Sequence, residues 1–578
     1  MPLLPHTPQV RLQQFPLLAT LATLTLAITW LLPNLAQPWL AFHKDAWAAM
    51  ALACAMLGLG FRLRIEWAVS RAVIILLLIS LVPWLQHWGG LIPLRGDAFM
   101  SFAYVLGFAL AVAVGENWTR IRPTAPVDFV LGAAAIAALI SVGLQLYQMA
   151  SLAPGNDPTD IWVLRFNPRD GRPYANLAQP NQLATLLVWG LIGFFWMRAR
   201  GWIRHSLMYL PACILLMGIA LTQSRTAMLT LTLFFGACFF LFWKKLISRS
   251  TFRDAVLLFG FFWAALVGVY WISHLLDIGN GFSLQKRTLG ETRFFLWRVA
   301  ADAVAEHPWL GYGWRHTHEG LIEVFPRHPQ MANWYFEQAH NLFLDLVLWC
   351  GLPLGLLVSG LMLYWLAQHL RQTATPQRRL VLAAVLAVSI HAMLELPLHY
   401  AYFLLPTGLL VGYLNQTRTA SDSYGSSVRI PRIPLLGIMM ASCLVLVVIV
   451  YDYLRVEARF EVLQFELKRI GKREPPPPDD LLILDQWGEM LRVARAKPNP
   501  GLSAEELERW EAVALFHPSE LTFQKLMFAW SLNGHPERAK YWADRLCLVS
   551  PPRKCARLLQ EWRENSIVMP VASEPGQG

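Results

Sequence analysis

The chain has 578 residues, of which 55% are hydrophobic and 15% charged, with a formal net charge of +11. Soluble domains carry about 25% charged residues, so this composition excludes an ordinary soluble enzyme and describes a polytopic membrane protein followed by a wetter segment. The positive charge lies mostly in short connections between apolar runs, where it sets orientation, and is not a nucleic-acid footprint.

A membrane-crossing helix needs roughly 20 apolar residues. About thirteen such runs follow one another from Phe15 to Tyr453, centred near residues 25, 53, 76, 106, 138, 190, 215, 234, 264, 354, 388, 408 and 443. The first lacks a small-residue cleavage site and reads as a retained span. Alternate connections hold Arg62/Arg64/Arg71, Arg120/Arg122, Arg198/Arg200/Arg204, Lys244/Lys245/Arg249/Arg253, Arg371/Arg378/Arg379 and Arg418/Arg429/Arg432. With Arg11 these amount to about 19 Lys and Arg, against about 6 in the short connections opposite, which marks a cytoplasmic face. The N-terminus is then inside and, after thirteen crossings, the C-terminus outside.

Two long loops fall on the outward side. The first runs from Ser151 to about Gln182 and is rich in Pro, Asn, Asp and Arg, residues that cannot lie in hydrocarbon. The second, residues 276–340, is too long for a passive connection. Within it Glu291–His307 places Phe294, Trp297, Val299, Ala301 and Val304 at helical spacing, as an amphipathic surface helix would. Pro308 and the turn-rich Gly311-Tyr312-Gly313-Trp314 follow.

Beyond the last run, Val456–Arg469 reads as a helix leaving the bilayer and Pro475–Pro478 as a stiff spacer. Residues 480–565 read as several amphipathic helices. Leu521–Pro551 resembles a tetratricopeptide-type (TPR-like) helix pair, and the last dozen residues read as disordered. Cys54, Cys213, Cys238, Cys350 and Cys443 lie in apolar runs, as small buried hydrophobes would. Cys547 and Cys555 lie in the outward tail, where an oxidising compartment permits a disulfide.

Polar sites gather at span ends on the outward face: Ala178-Gln179-Pro180-Asn181-Gln182, Thr222-Gln223-Ser224-Arg225-Thr226, Glu291–Arg298 with Arg293 and Arg298, His340, and Glu395-Leu396-Pro397-Leu398-His399-Tyr400. Independent accidents would scatter over both faces. An arginine at the membrane boundary, such as Arg225, is offset by a phosphate through charge-assisted, often bidentate contacts. Pairing with lipid headgroups is the alternative for such an arginine. His340, at the entry to the run Leu342–Leu366, carries an imidazole able to take a hydroxyl proton near neutral pH. A helix-end histidine held by Asn341 has the same sequence signature. Gln179, Asn181 and Tyr400 are donors suited to sugar or phosphate oxygens, and amides at a span end also cap helices.

What is missing also discriminates. There is no GxSxG, Walker loop, HExxH or GxGxxG motif, no Cys/His zinc spacing, and no Asp-x-Asp pair in Asn34–Asp45 for a metal-held diphosphate. Span centres nearly lack ionisable residues, against an ion-coupled transporter.

Ala-Gln-Pro-Asn-Gln (178–182), Gln-Ser-Arg-Thr (223–226), Thr-Arg-Phe-Phe-Leu-Trp (292–297), His-Pro-Trp-Leu-Gly-Tyr-Gly-Trp (307–314), Ala-His-Asn-Leu-Phe-Leu-Asp (339–345) and Glu-Leu-Pro-Leu-His-Tyr (395–400) together resemble the Wzy/WaaL superfamily. More narrowly the chain is similar to bacterial protein O-oligosaccharyltransferases of the PglL type, which glycosylate pilins. The outward C-terminal extension suits that branch better than O-antigen ligases. The resemblance implies transfer of a preassembled glycan from undecaprenyl diphosphate to a hydroxyl, without metal or other cofactor. By position, His340 corresponds to the essential loop histidine, Gln179 to the glutamine of the Gln-Pro-Asn motif and Tyr400 to the tyrosine after Glu-x-Pro-Leu. Arg225 and Arg293 correspond to arginines that hold the diphosphate. Gln182 stands where several relatives carry His, and Arg298 has no firm counterpart.

The expectation is an all-α polytopic inner-membrane glycosyltransferase with about thirteen transmembrane helices. It divides into a transmembrane catalytic part, residues 1–455, and a periplasmic helical domain, residues 456–578. The active site faces the periplasm; the partners are the lipid bilayer, the undecaprenyl-diphosphate-linked oligosaccharide and a pilin or pilin-like acceptor protein, with no nucleic acid. Rival readings are an O-antigen ligase with lipid A core as acceptor, a glycan polymerase, and, from another class, a lipid-linked-glycan translocator or a membrane-anchored scaffold.

Overall fold

The computed structural model of the chain describes residues 16–62, 66–150, 162–166, 172–275, 289–328, 336–372, 375–416, 428–471 and 480–567. It is predominantly helical. Helices α1 (Pro16–Leu31) and α2 (Phe42–Arg62) are followed by a short strand, β1 (Trp67–Val69), then α3 (Arg71–Ser80), α4 (Val82–Trp88), α5 (Arg95–Ile121) and α6 (Ala125–Ala150). Next come α7 (Pro180–Ala199), α8 (Tyr209–Thr222), α9 (Arg225–Trp243), α10 (Arg249–Leu275), α11 (Leu289–Glu306) and α12 (Thr317–Val324). Then follow α13 (Leu342–Arg371), α14 (Pro376–Ala392), α15 (Ala401–Gln416), strand β2 (Val428–Ile430) and α16 (Arg432–Leu467). The two strands pair antiparallel, a small departure from the all-helical expectation.

Every one of the thirteen expected run centres falls inside a helix, in α1, α2, α3, α5 to α10 and α13 to α16. Among the described residues eight segments are long and apolar enough to cross a membrane by length and composition: α3 with α4, α5, α6, α7, α9, α10, α13 and α16. The others fall short for local reasons. Helices α1, α8, α14 and α15 have 16, 14, 17 and 16 residues, and α2 carries His43, Lys44 and Asp45 in its first turn. The core is built on close helix contacts, above all between α5 and α15. A Cβ on Gly115 would stand 2.4 Å from Leu409 O, and one on Gly412 2.3 Å from Val112 O. Small residues thus let two backbones touch where apolar surroundings supply no hydrophobic drive for packing.

The two ends of the bundle differ in chemistry. At one end basic residues tie the connections together: Arg120 Nε donates to Gln416 Oε1 (3.0 Å), Arg378 to Leu414 O (3.0 Å) and Arg379 to Leu246 O (3.0 Å), and Arg200 pairs with Asp128 (3.5 Å). These are connections that the charge count assigns to one side. At the other end lie the starts of α2, α7, α9, α13 and α15 and the polar residues described below.

Helix α16 runs unbroken across position 455. Its 36 residues span roughly 54 Å, well beyond a hydrocarbon core of about 30 Å. Five further helices follow: α17 (Asp485–Arg495), α18 (Ala504–Phe516), α19 (Glu520–Leu532), α20 (Pro536–Val549) and α21 (Pro552–Ile567). They pack back onto the bundle. Asp452 accepts the amides of Leu482, Ile483 and Leu484 at 3.2, 2.6 and 3.0 Å. Asp485 accepts from Gly96 N (2.7 Å), and His318 is hydrogen-bonded to Leu515 O. Phe42, Met100 and Ile322 join the apolar core of this region.

Cys547 and Cys555 form a disulfide between α20 and α21. Of the five other cysteines only Cys350 is buried; Cys54 is exposed, and Cys213, Cys238 and Cys443 are half-buried. That corrects the expectation of buried thiols: the outside of a membrane bundle is apolar too, so a small hydrophobe is at home there. Pro475–Pro478, the last residues of the chain and parts of both long loops lie outside the described residues.

Candidate active site

His340 is held by its neighbours in a conformation few side chains adopt. Its φ is +53°, in the left-handed region that a non-glycine residue occupies only when its surroundings demand it. On its C-terminal side Asn341 caps α13, its Oδ1 accepting from Phe343 N and Leu344 N. On the other side Ala339 N donates to Asp345 Oδ1 (2.9 Å), which also takes Thr317 Oγ1 (2.8 Å), while Trp297 Nε1 donates to Ala339 O (3.0 Å). The ring packs edge-on against Phe336, and its Nδ1 is buried with no hydrogen bond among the described residues. Burial holds the imidazole below its ordinary value; the Glu395 charge opposes this, and Arg293 reinforces it. The imidazole is therefore neutral at neutral pH.

Asp345 acts on this site through the backbone alone. Losing a buried hydrogen bond costs about 1–3 kcal/mol, so Asp345→Ala should lower kcat by roughly one to two decades with KM little changed. Asp345→Asn, whose amide oxygen still accepts from Ala339 N, should restore most of it; steady-state kinetics of the pair tests this.

The loop behind His340 explains the His307–Trp314 pattern. Helix α13 breaks at Gly351 (φ +72°, ψ 172°). The carbonyls freed there accept from the loop, Leu348 O from Tyr312 N (2.8 Å) and Trp349 O from Gly313 N (3.2 Å), while Leu352 N donates to Pro308 O (2.7 Å). The contact is backbone on backbone. A Cβ on Gly311 would stand 2.3 Å from Leu348 O, and one on Gly351 2.2 Å from Trp309 O. Both glycines also have positive φ, which any other residue would resist.

The hub of the site is Glu395, just past the end of α14. Gln179 Nε2 donates to its Oε2 (2.7 Å), Asn181 Nδ2 to its Oε1, Arg293 Nη2 to its Oε1 (3.3 Å) and His391 Nε2 to its Oε2 (3.1 Å). Burial pushes this carboxyl up, but His391, Asn181 and Arg293 together outweigh it and hold it below the ordinary range. Arg172 extends the network, donating to Asn181 Oδ1 (3.2 Å) and to Thr222 O (2.9 Å). It thereby ties the turn that carries Arg225 to the same end of the bundle.

In that turn Gln223 has φ +50°, Ser224 caps α9 and Arg225 is its exposed first residue. Tyr400 is half-buried, stacked on Tyr402 at 5.1 Å, and burial pushes its phenol up to about 12. Gln182 joins the two rings, accepting from Tyr402 OH (2.6 Å) and hydrogen-bonding Tyr400.

Gln179, Asn181 and Arg293 thus meet on one carboxylate beside His340, with Tyr400 close by through Gln182. Arg298 lies on the exposed side of α11, where Leu296, Val299 and Ala300 take the buried side. Sequence reading assigned no role to Glu395, His391 or Arg172. The spacing of His391 and Glu395, i and i+4 at a helix end, was the one local signal. Among the described residues no group of three or more His, Cys, Asp or Glu side chains is arranged to hold a metal ion.

Residues 210–359 match the O-antigen ligase family, and residues 379–553 match the C-terminal part of the virulence factor membrane-bound polymerases. Residues 173–196, which carry Gln179 and Asn181, match the protein glycosylation ligases. These matches make the chain similar to membrane glycosyltransferases of the O-antigen ligase type. The chain is 28% identical over 545 residues to the general O-oligosaccharyltransferase of Acinetobacter baylyi, the alignment covering 91% of each chain. It is also 32% identical over 249 residues to the ComP-specific O-oligosaccharyltransferase of the same organism, covering 43% of this chain and 44% of that one. The chain is thus similar to bacterial protein O-oligosaccharyltransferases of the PglL type, and those relatives mark it as a glycosyltransferase.

Proposed function

We propose that this enzyme moves a preassembled oligosaccharide from undecaprenyl diphosphate onto a Ser or Thr hydroxyl of an exported acceptor, a pilin or pilin-like protein. The observation that carries the reading is the convergence of Gln179, Asn181 and Arg293 on Glu395 beside a neutral, half-buried imidazole. The acceptor oxygen attacks the anomeric carbon, and the bond from that carbon to the diphosphate oxygen breaks with its electron pair leaving on the diphosphate. His340 takes the hydroxyl proton. Arg225 and Arg293 stabilise the charge that grows on the leaving group, an effect worth most in a site screened from water. Glu395 turns the amides of Gln179 and Asn181, leaving Gln179 Oε1 for a sugar hydroxyl, and Tyr400 donates to the glycan or the phosphate. Direct displacement inverts the anomeric centre, and no metal is required. Arg298 contributes, in this reading, at the rim.

The membrane part crosses the inner membrane thirteen times, with the Glu395–His340 end facing the periplasm and residues 456–578 forming a periplasmic helical domain of TPR-like pairs. The disulfide between Cys547 and Cys555 suits an oxidising compartment. The match of residues 379–553 to membrane-bound polymerases favours one second reading, in which the acceptor hydroxyl belongs to another glycan. Purified enzyme given lipid-linked oligosaccharide and a pilin-like protein, with and without EDTA, separates the readings by intact mass. Acceptor protein heavier by one glycan in both samples is expected. Lengthened glycan with unmodified protein selects the polymerase, and no product of either kind selects the translocator.

A further inference from the structure

A cavity of about 400 Å³ lies between α2, α5, α15 and α16. Small residues make it: Ala46, Ala49 and Ala53 on one face of α2 look across at Ala103 and Gly107 of α5, and Leu405 and Val445 close its sides. Its lining runs along α2 from Phe42 to Met56, roughly 21 Å by helix rise, about two thirds of a hydrocarbon core. It is therefore a slot parallel to the spans and not a pocket for a compact solute. Apart from Ser442, whose hydroxyl donates to Ile438 O (2.9 Å), its polar groups gather at one end. There Tyr104 OH donates to Asp45 Oδ2 (2.6 Å) and Tyr402 N to Asp45 Oδ1 (3.4 Å).

That polar end adjoins the active site. Ala401 lines the slot and directly follows Tyr400, and Tyr402 is bonded to Gln182, next to Asn181. Arg315, exposed and with φ +69°, sends its charge to the same place, where Asp45, Tyr104 and His399 all feel it. An elongated apolar slot whose polar end lies within reach of an arginine's charge and adjoins the proposed glycosyl-transfer site matches an amphiphile with a long hydrocarbon chain and an anionic head. A phospholipid shares that outline, but its head is not the group the site acts on.

We infer that the slot between α2, α5, α15 and α16 receives the first isoprene units of the donor lipid, with Arg315 at its mouth binding the diphosphate. The inference rests on the polyprenyl-diphosphate donor proposed above and assigns its tail and headgroup to residues of this chain.

The test compares two donors with the same glycan diphosphate, one on a full-length polyprenyl chain and one on a methyl group, which carries no isoprene unit to enter the slot. Ala49→Trp and Ala103→Trp, made separately, fill the slot. Each should raise KM for the long-chain donor tenfold or more and leave the methyl donor within about twofold. Equal loss with both donors, or no change with either, overturns the inference. Arg315→Gln should raise KM for both donors alike, and an unchanged KM overturns the headgroup placement. A polyprenyl diphosphate carrying a diazirine in its second isoprene unit should label wild-type peptides from residues 42–62, 95–121 or 432–467; labelling confined to other helices refutes the slot. Because the label needs no turnover, wild-type enzyme that transfers from neither donor sinks the transferase reading while the label still decides the tail's location.

Discussion

Replacing Glu395 by alanine should cut glycan transfer by two to three and a half decades. Removing one partner of a buried ion pair costs about 3–5 kcal/mol, because the other charge is left uncompensated, and each 1.36 kcal/mol is a decade in rate. Here one carboxylate holds Gln179, Asn181, Arg293 and His391, so its loss frees four groups at once. Glu395→Gln keeps the size and two hydrogen-bonding atoms and should fall between wild type and alanine. The glutamine variant also separates charge from folding. The Glu395 charge favours protonated His340, so removing it lowers that imidazole's proton affinity further and moves the acid limb of the pH–rate profile to lower pH. Arg293→Gln should move it the other way. A Glu395→Gln enzyme with wild-type kcat/KM and an unshifted profile would remove this carboxylate from the mechanism.

His340→Ala should lower kcat by about 10²–10⁴-fold, the usual share of a positioned general base, with donor binding largely retained. The wild-type profile should be flat from neutral pH upward and fall on acidification, with a midpoint below the ordinary imidazole value of about 6.5, since burial disfavours the charged ring. That limb should vanish in the alanine variant. Transfer that persists at the wild-type rate, or an acid limb that survives the substitution, would show that another group takes the proton.

Much of the fold was legible because apolar runs of span length leave little choice, and every expected run centre lies in a helix. The candidate residues Gln179, Asn181, Arg293 and His340 were legible for the converse reason, as polar groups where spans end. The place of Glu395 as their common acceptor was not, because its partners Arg293, Asn181 and Gln179 stand 102, 214 and 216 residues away, and no local spacing encodes such a meeting. Arg172 sits in an irregular loop with no periodicity to mark it. The slot along α2 was hidden too, because alanines that line a cavity read in one dimension like alanines that pack a core.

The way α17 to α21 rest on the bundle bears on how this enzyme can be dissected. Phe42, Met100 and Ile322 lie in the same apolar cluster as Trp487 and Phe523, and His318, on the helix after Arg315, is bonded to Leu515 O. Cutting the chain after α16 would bare that greasy seam and slacken the strap bearing Arg315. A truncated protein that fails to glycosylate would then report a collapsed scaffold. Choice of acceptor is better probed by changing charges on the outer faces of α18 and α21 while the whole chain stays in place.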